Sequence, residues 1–364
     1  MKEKLTTLDP LRAFSCLIVF AFHSYIVSYV GPIAVSLFIL MSGFLLFYNY
    51  ADRVDSLPGD VPGCLRHALR KVGKLYPLYI ISLVALIIRI IILMPDDPPR
   101  SQLVLYAQQF ISSVFLVQSW YPGIRLALGL NVAAWYLSTA LFLYFAFPFV
   151  LRRVLRIRSV KGALGWIVLI FILMVSSAEF VTYLVRRFCD LEPTHFTNIQ
   201  HWLGYICPLY RLGDFSIGCI LGFIFSRTDA SALSPVKASF LELGALVLAV
   251  LSHFLVPILP TQHAFTAVFV PSASLLLFTF ALGRGYISRG LCCAPVRLIS
   301  DYSTEIFLIH FVVLQYITPL CNILPLSYNL QRVSYLIISI LSTIGCVWFY
   351  RRLSLRFRLL AVRR

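Results

Sequence analysis

The chain has 364 residues, of which 60% are apolar and only 13% charged, with a formal net charge of +16. Soluble domains are about a quarter charged and less than half apolar, so a soluble core of this length cannot hide so much apolar surface, and lipid must be its solvent. The charge does not indicate nucleic acid, because the basic residues cluster between apolar runs instead of forming one patch; positive-inside topology gives that pattern, and it suits phospholipid headgroups or an anionic cofactor equally well.

The N-terminus, MKEKLTTLDPLRAF, is basic and leads into an apolar run that carries Arg12 and His23. That run lacks an A-x-A cleavage signal and reads as a first span, not a cleaved signal peptide. A span needs about 20 mostly apolar residues. Ten candidates follow in chain order: Leu8–Tyr29, Pro32–Tyr50, Leu75–Met94, Val132–Val150, Ala163–Val185, Trp202–Phe225, Phe240–Pro257, Phe265–Gly283, Ile299–Leu320 and Val333–Tyr350. Gly31 and Pro32 form a tight turn between the first two. Val104–Trp120 is shorter and holds Gln108, Gln109, Ser112 and Ser113.

Loop charge decides whether that eleventh run crosses. If it does not, and the N-terminus is inside, most of the 31 basic residues fall in cytoplasmic segments, and the outer segments keep only Arg100, Arg125, Arg186, Arg187 and Arg332. Counting it as a span would put the Arg152–Lys161 cluster outside. The expectation is an all-α, polytopic transmembrane helical bundle of about ten spans in the plasma membrane, with both termini cytoplasmic. Residues 1–364 read as one membrane-embedded domain ending in a basic cytoplasmic tail, 351–364. The nine cysteines form no CxxC pair and no Cys/His metal spacing, so neither a disulfide framework nor a metal site is expected.

Charges in hydrocarbon are costly, which makes each one a functional candidate. Asp9, Arg12 and His23 lie in the first span, and Arg89 and Glu179 near outer ends. Arg211 and Asp214 share one helix face at i, i+3. Asp301, Glu305 and His310 lie in the ninth span. Each also has a plainer use: a snorkelling anchor, a packing pair, an interhelical hydrogen bond. Ser42-Gly43 would be a small-residue contact between helices. The residues themselves leave two classes open, a transporter for an anionic solute and a membrane enzyme using a cytoplasmic anionic cofactor. Repeated halves with helices broken at matching positions are not evident, which makes transport the lesser reading.

Six stretches resemble, in order, the motifs of the membrane-bound acyltransferase family 3. LDPLRAFSCLIVFAFHS resembles its first span, in which an Arg and a His have ten residues between them, here Arg12 and His23. VSLFILMSGFLLFY resembles its second span, and LRKVGKLYPLYI its basic loop followed by Tyr-Pro. WYLSTALFLYFAFP, YRLGDFSIGCILGF and ISDYSTEIFLIHF resemble later helices, and the matches run from residue 8 to about 315. Three positions depart from the pattern. Lys74 stands where the loop motif usually has Arg, Ala140 near a glutamate of some members, and Phe307 at a Tyr.

The resemblance implies O-acyl transfer, most often of acetyl, from cytoplasmic acyl-CoA to a hydroxyl of a cell-surface glycan, lipid-linked sugar or small molecule. The alternative is a transporter or flippase for an anionic or sugar-linked solute. In the enzyme reading His23 is the base or a transient acyl carrier, and Arg12 steadies the anionic end of the donor. Arg70, Lys71 and Lys74 meet the CoA phosphates. Arg211, Asp214, Glu305 and His310 are the candidate acceptor-binding residues. On one helix Arg12 and His23 lie about 17 Å apart and on nearly the same face, comparable to an extended pantetheine arm.

Overall fold

The structure is a computed structural model and describes residues 3–24, 30–322 and 327–362. These residues form helices and no strand. In chain order they are α1 (Asp9–His23), α2 (Gly31–Tyr50), α3 (Val61–Val72), α4 (Tyr76–Ile92), α5 (Arg100–Val114), α6 (Ile124–Leu128), α7 (Trp135–Val154) and α8 (Val160–Phe188). Then come α9 (Pro193–His201), α10 (Pro208–Ser226), α11 (Pro235–Leu255), α12 (Thr261–Ala264), α13 (Val270–Leu282), α14 (Tyr286–Gly290), α15 (Ala294–Asn322) and α16 (Tyr328–Val362). Proline opens many of them, among them α1, α2, α4 and α10, at a position whose N–H would have no helical partner anyway. Side-chain caps from Asp60, Ser159 and Ser234 start α3, α8 and α11.

Among the described residues seven helical stretches are long and apolar enough to cross a membrane, and eight if α3 and α4, bent by 64°, count as one broken span. They correspond to eight of the ten expected spans. The other two are shorter here. Leu8–Tyr29 is helical over Asp9–His23, and its residues 25–29 lie outside the described set; Phe265–Gly283 keeps a helix only over Val270–Leu282. That helix stops where Gly283 takes a left-handed φ of 61°. The chain is a multi-pass all-α membrane protein.

Burial separates a core from a lipid-facing ring. The apolar window of α2 is 72% buried and that of α8 only 11%, with Val168, Ile172, Leu173 and Phe180 outward-facing. Such a stripe is tolerable only in lipid. α2 and α10 cross at the centre, where a Cβ on Gly43 would run into the Phe215 carbonyl oxygen and one on Gly218 into that of Leu40. Small residues that let backbones touch are how helices associate without a hydrophobic drive between them.

The basic segments gather at one end of the bundle. There Arg152 donates to the Leu57 and Pro58 carbonyls at 2.9 and 3.0 Å, and Arg227 to that of Arg158 at 2.9 Å. Tyr48 donates to the Glu3 carbonyl at 3.1 Å, Lys4 lies 3.4 Å from Asp301, and Arg351 lies 2.8 Å from Glu305. The N-terminal residues and the late part of α16 therefore share this end. The first turn of α4 and the last turn of α7 share it too. Between them α5 runs back along α4 until Tyr76 and Tyr79 donate to the Val114 and Ser113 carbonyls at 2.8 and 3.0 Å. The chain then returns through α6 to the start of α7, so the Val104–Trp120 run doubles back, with burial beginning only at Ser112.

Gly218→Ala should lower stability by about 1–3 kcal/mol, because neither backbone at the α2–α10 crossing can retreat far. Thermal unfolding in detergent, followed by intrinsic fluorescence, checks this. An unchanged melting temperature would mean that the two backbones do not touch there.

Candidate active site

Two adjoining cavities open from the basic end. The wider, about 490 Å³, is walled by Asn49, Tyr50, Arg53, Ser56 and Leu46. The narrower, about 180 Å³, runs deeper between Phe38, Leu75, Tyr136, Ala140 and Phe307. Arg12, Ser42, Lys71 and Tyr144 line both and form the neck. Arg12 reaches the neck from the first turns of α1, held 3.7 Å from the buried Asp9 carboxylate. Lys71 comes from the last turn of α3, where its ammonium stands 4.8 Å over the Tyr50 ring. Among the described residues no carboxylate lines either cavity, so Arg12, Arg53 and Lys71 make the mouth and neck cationic, the setting that phosphate groups need.

The inner cavity is mostly apolar with a stripe of hydroxyls. Tyr136, Ala140 and Tyr144 stack at i, i+4 and i+8 on one face of α7. Ser42 donates to the Phe38 carbonyl at 2.8 Å, so its oxygen accepts from the Tyr136 hydroxyl at 3.2 Å.

Behind Phe307 lies a pair of histidines. His23, the last residue of α1, places Nδ1 2.9 Å from Nε2 of His310 on α15. The His310 Nδ1 is 3.1 Å from the Ile306 carbonyl, which can only accept, so Nδ1 carries the proton. With both rings neutral, the His310 Nε2 accepts from the His23 Nδ1–H. The lone pair of the pair is then left on His23 Nε2. Phe20, Phe307 and Phe311 pack around the two rings, and His310 is buried.

The residues expected from sequence are distributed unevenly. Arg12 and Lys71 meet at the neck. Arg70 is exposed and lines neither cavity, and Lys74 belongs to a separate cleft with Glu305, Tyr350 and Arg351. The four acceptor candidates do not come together. Arg211 and Asp214 are fully buried and paired at 2.8 Å, and Arg211 also bonds Thr266 and, at 3.4 Å, Ser36. They tie α10 to α2 and to the turn before α13, and face no open space. Glu305 is engaged by Arg351, on the side of α15 away from His310, because five residues turn a helix by about 500°. His310 joins His23 instead. Sequence reasoning missed Arg53, Ser42, Tyr136 and Tyr144. The i, i+4, i+8 stripe in an otherwise apolar helix was the available signal. Among the described residues no three His, Cys, Asp or Glu side chains are grouped to hold a metal.

A membrane bundle with a cationic cavity leading towards a histidine pair has the parts of a group-transfer enzyme. The acyltransferase 3 family, described as an acyltransferase domain, matches residues 5–351, and the chain belongs to it. It is similar to the acyltransferase MdmB of Streptomyces mycarofaciens, at 27% identity over 331 residues, which is 86% of this chain and 80% of that protein. No solved structure matches the chain. The protein is a membrane acyltransferase.

Asp214→Ala should destabilise the protein by about 3–5 kcal/mol, since it leaves the Arg211 charge buried without its partner. The double replacement Arg211→Met with Asp214→Ala should cost less than the single one. Thermal unfolding of the two variants in detergent compares them. Equal stability of Asp214→Ala and the natural protein would mean that the pair does not hold the helices.

Proposed function

We propose that this acyltransferase moves an acyl group, most simply acetyl, from acyl-CoA at the basic end onto a hydroxyl of a glycan, lipid-linked sugar or small molecule. The observation that carries this reading is the cationic neck of Arg12 and Lys71, open to the basic end and continuous with an apolar slot that ends at Phe307. The nucleotide phosphates suit Arg12, Arg53 and Lys71. The slot suits an uncharged pantetheine arm, and about 17 Å of helix separates Arg12 from His23.

In this reading His23 Nε2 takes the proton of the acceptor hydroxyl as that oxygen bonds to the thioester carbonyl carbon. The C–S bond then breaks, the acyl group stays on the acceptor oxygen as an ester, and CoA leaves as thiolate and recovers a proton. His310 orients His23, because its Nδ1 is fixed by the Ile306 carbonyl and its Nε2 holds the His23 Nδ1–H. Arg211, Asp214 and Glu305 serve in structural pairs and not in acceptor binding. The chain sits in the plasma membrane as one domain with about ten spans. Its basic end is cytoplasmic, as the positive-inside rule and a cytoplasmic donor both require.

Lys71→Gln should weaken acetyl-CoA binding about tenfold and make what remains less sensitive to salt. Arg70→Gln, one residue away but outside the cavity, should change binding by less than about twofold. His23→Ala should leave binding intact and abolish transfer. Calorimetric titration of the purified protein with acetyl-CoA, and release of free CoA, measure the three. Equal effects of Lys71→Gln and Arg70→Gln would mean that the loop acts only as a membrane anchor. Transfer by His23→Ala at the natural rate would remove His23 from the mechanism.

A further inference from the structure

A second opening lies at the opposite end of the bundle from the donor cavity. Where α5 doubles back beside α6, a groove of about 600 Å³ is lined by Ser101, Gln102, Tyr106, Gln109 and Arg125, with Gly129 at its inner end. Among the described residues no carboxylate lines it, so apart from Arg125 its polar side chains are neutral amides and hydroxyls. Gln102 donates to the Tyr106 hydroxyl at 3.0 Å, and Gln109 to the Arg125 carbonyl at 2.7 Å. Both amides are thereby oriented, with their oxygens left to accept.

Gly129, on the groove's lining, backs onto buried side chains. Gly129 has a φ of +65°, and a Cβ there would stand 2.6 Å from Ser113 Oγ and 3.6 Å from the Gln118 side chain. Ser113, Gln118 and the nearby Asn131 are each 1% exposed. Ser113 Oγ, Gln118 Oε1 and Asn131 Oδ1 all lack a hydrogen-bond partner. Buried oxygens without a donor are rare and costly, and these three need donors that the protein side chains do not supply. The Asn131 amide nitrogen donates to the Leu308 carbonyl at 3.0 Å, two residues before His310 on α15. The cluster thus borders the stretch of α15 that carries His310.

We infer that the groove between α5 and α6, with the Ser113–Gln118–Asn131 cluster behind Gly129, is the acceptor site, and that it takes a polyhydroxylated acceptor, a sugar ring. The inference rests on the acyl-transfer reading above. Donor and acceptor then approach from opposite ends of the bundle and meet near His23. Amide oxygens, a phenol and an arginine suit a ring of hydroxyls that both donate and accept.

The test uses the full chain in lipid nanodiscs with radiolabelled acetyl-CoA. The acceptor probes are the methyl glycosides of glucose, galactose, mannose and rhamnose. Gln109→Leu removes one amide, and Ser101→Trp fills the mouth; both lie on the groove and outside the donor cavity. Each should raise KM for the accepted glycoside about tenfold while leaving acetyl-CoA binding and its slow acceptor-free hydrolysis within about twofold. An unchanged glycoside KM in both variants overturns the assignment of the groove. A natural protein that hydrolyses acetyl-CoA but acylates none of the four glycosides overturns the polyhydroxyl acceptor. Loss of hydrolysis in both variants also counts against the groove, since it would not be separable from the donor site. A natural protein that neither binds nor hydrolyses acetyl-CoA overturns the acyl-transfer reading, and this inference with it.

Discussion

Two missing side chains govern the rest of the architecture. Because Gly43 and Gly218 carry no Cβ, α2 and α10 meet backbone to backbone at the centre of the bundle. The neighbouring residues on α2 are thereby committed. Ser36 is brought to Arg211 on the α10 side. Phe38 and Ser42, rotated away from that contact, become the wall of the inner cavity and meet Tyr136 of α7. A wider crossing would part Ser36 from Arg211 and reposition Ser42 against Tyr136 of α7. The cavity owes its shape to a helix contact that lies outside it.

The same electrostatic cost is resolved in two ways in this molecule. Arg211 is wholly buried, so its charge requires Asp214 beside it and hydroxyls from Ser36 and Thr266. Arg12 and Lys71 are only partly buried and line an open cavity, with a single carboxylate, that of Asp9, near Arg12. The Arg211 charge is already matched by a neighbour, and the other two are free to be matched by a ligand. This contrast separates a structural arginine from a binding one more sharply than depth in the membrane does.

Much of this was legible in the sequence. Composition and loop charge sufficed for an all-α membrane bundle, and ordered motifs from LDPLRAFSCLIVFAFHS to ISDYSTEIFLIHF sufficed for the family and for acyl transfer. Eight of the ten apolar runs are helices of the expected kind. What a run of residues does not reveal is how each helix is turned about its axis relative to its neighbours. Arg211, Asp214, Glu305 and His310 are each an ionisable group in a span, yet rotation sends the first two into a helix contact, Glu305 to Arg351 and His310 to His23. The Glu305–His310 divergence could have been read from their spacing alone. The pairing of His310 with His23 could not, since 286 residues of intervening chain had to fold first.

The doubled-back α5–α6 segment has a consequence for the chemistry. A helix that crossed fully would have left α7 running the other way, with Arg152 and the Leu57–Pro58 turn at opposite ends of the bundle. By returning, the segment keeps the basic helix ends together and places neutral polar residues at the far end. Polar backbone at this depth survives only where protein side chains satisfy it. Tyr76, Tyr79, Ser138 and Trp202 do so for the carbonyls of Val114, Ser113, Leu116 and Ser119. Three side-chain oxygens of the same region remain without donors. The fold satisfies this segment's backbone from four side chains of other helices, and it leaves those three side-chain oxygens without a protein donor.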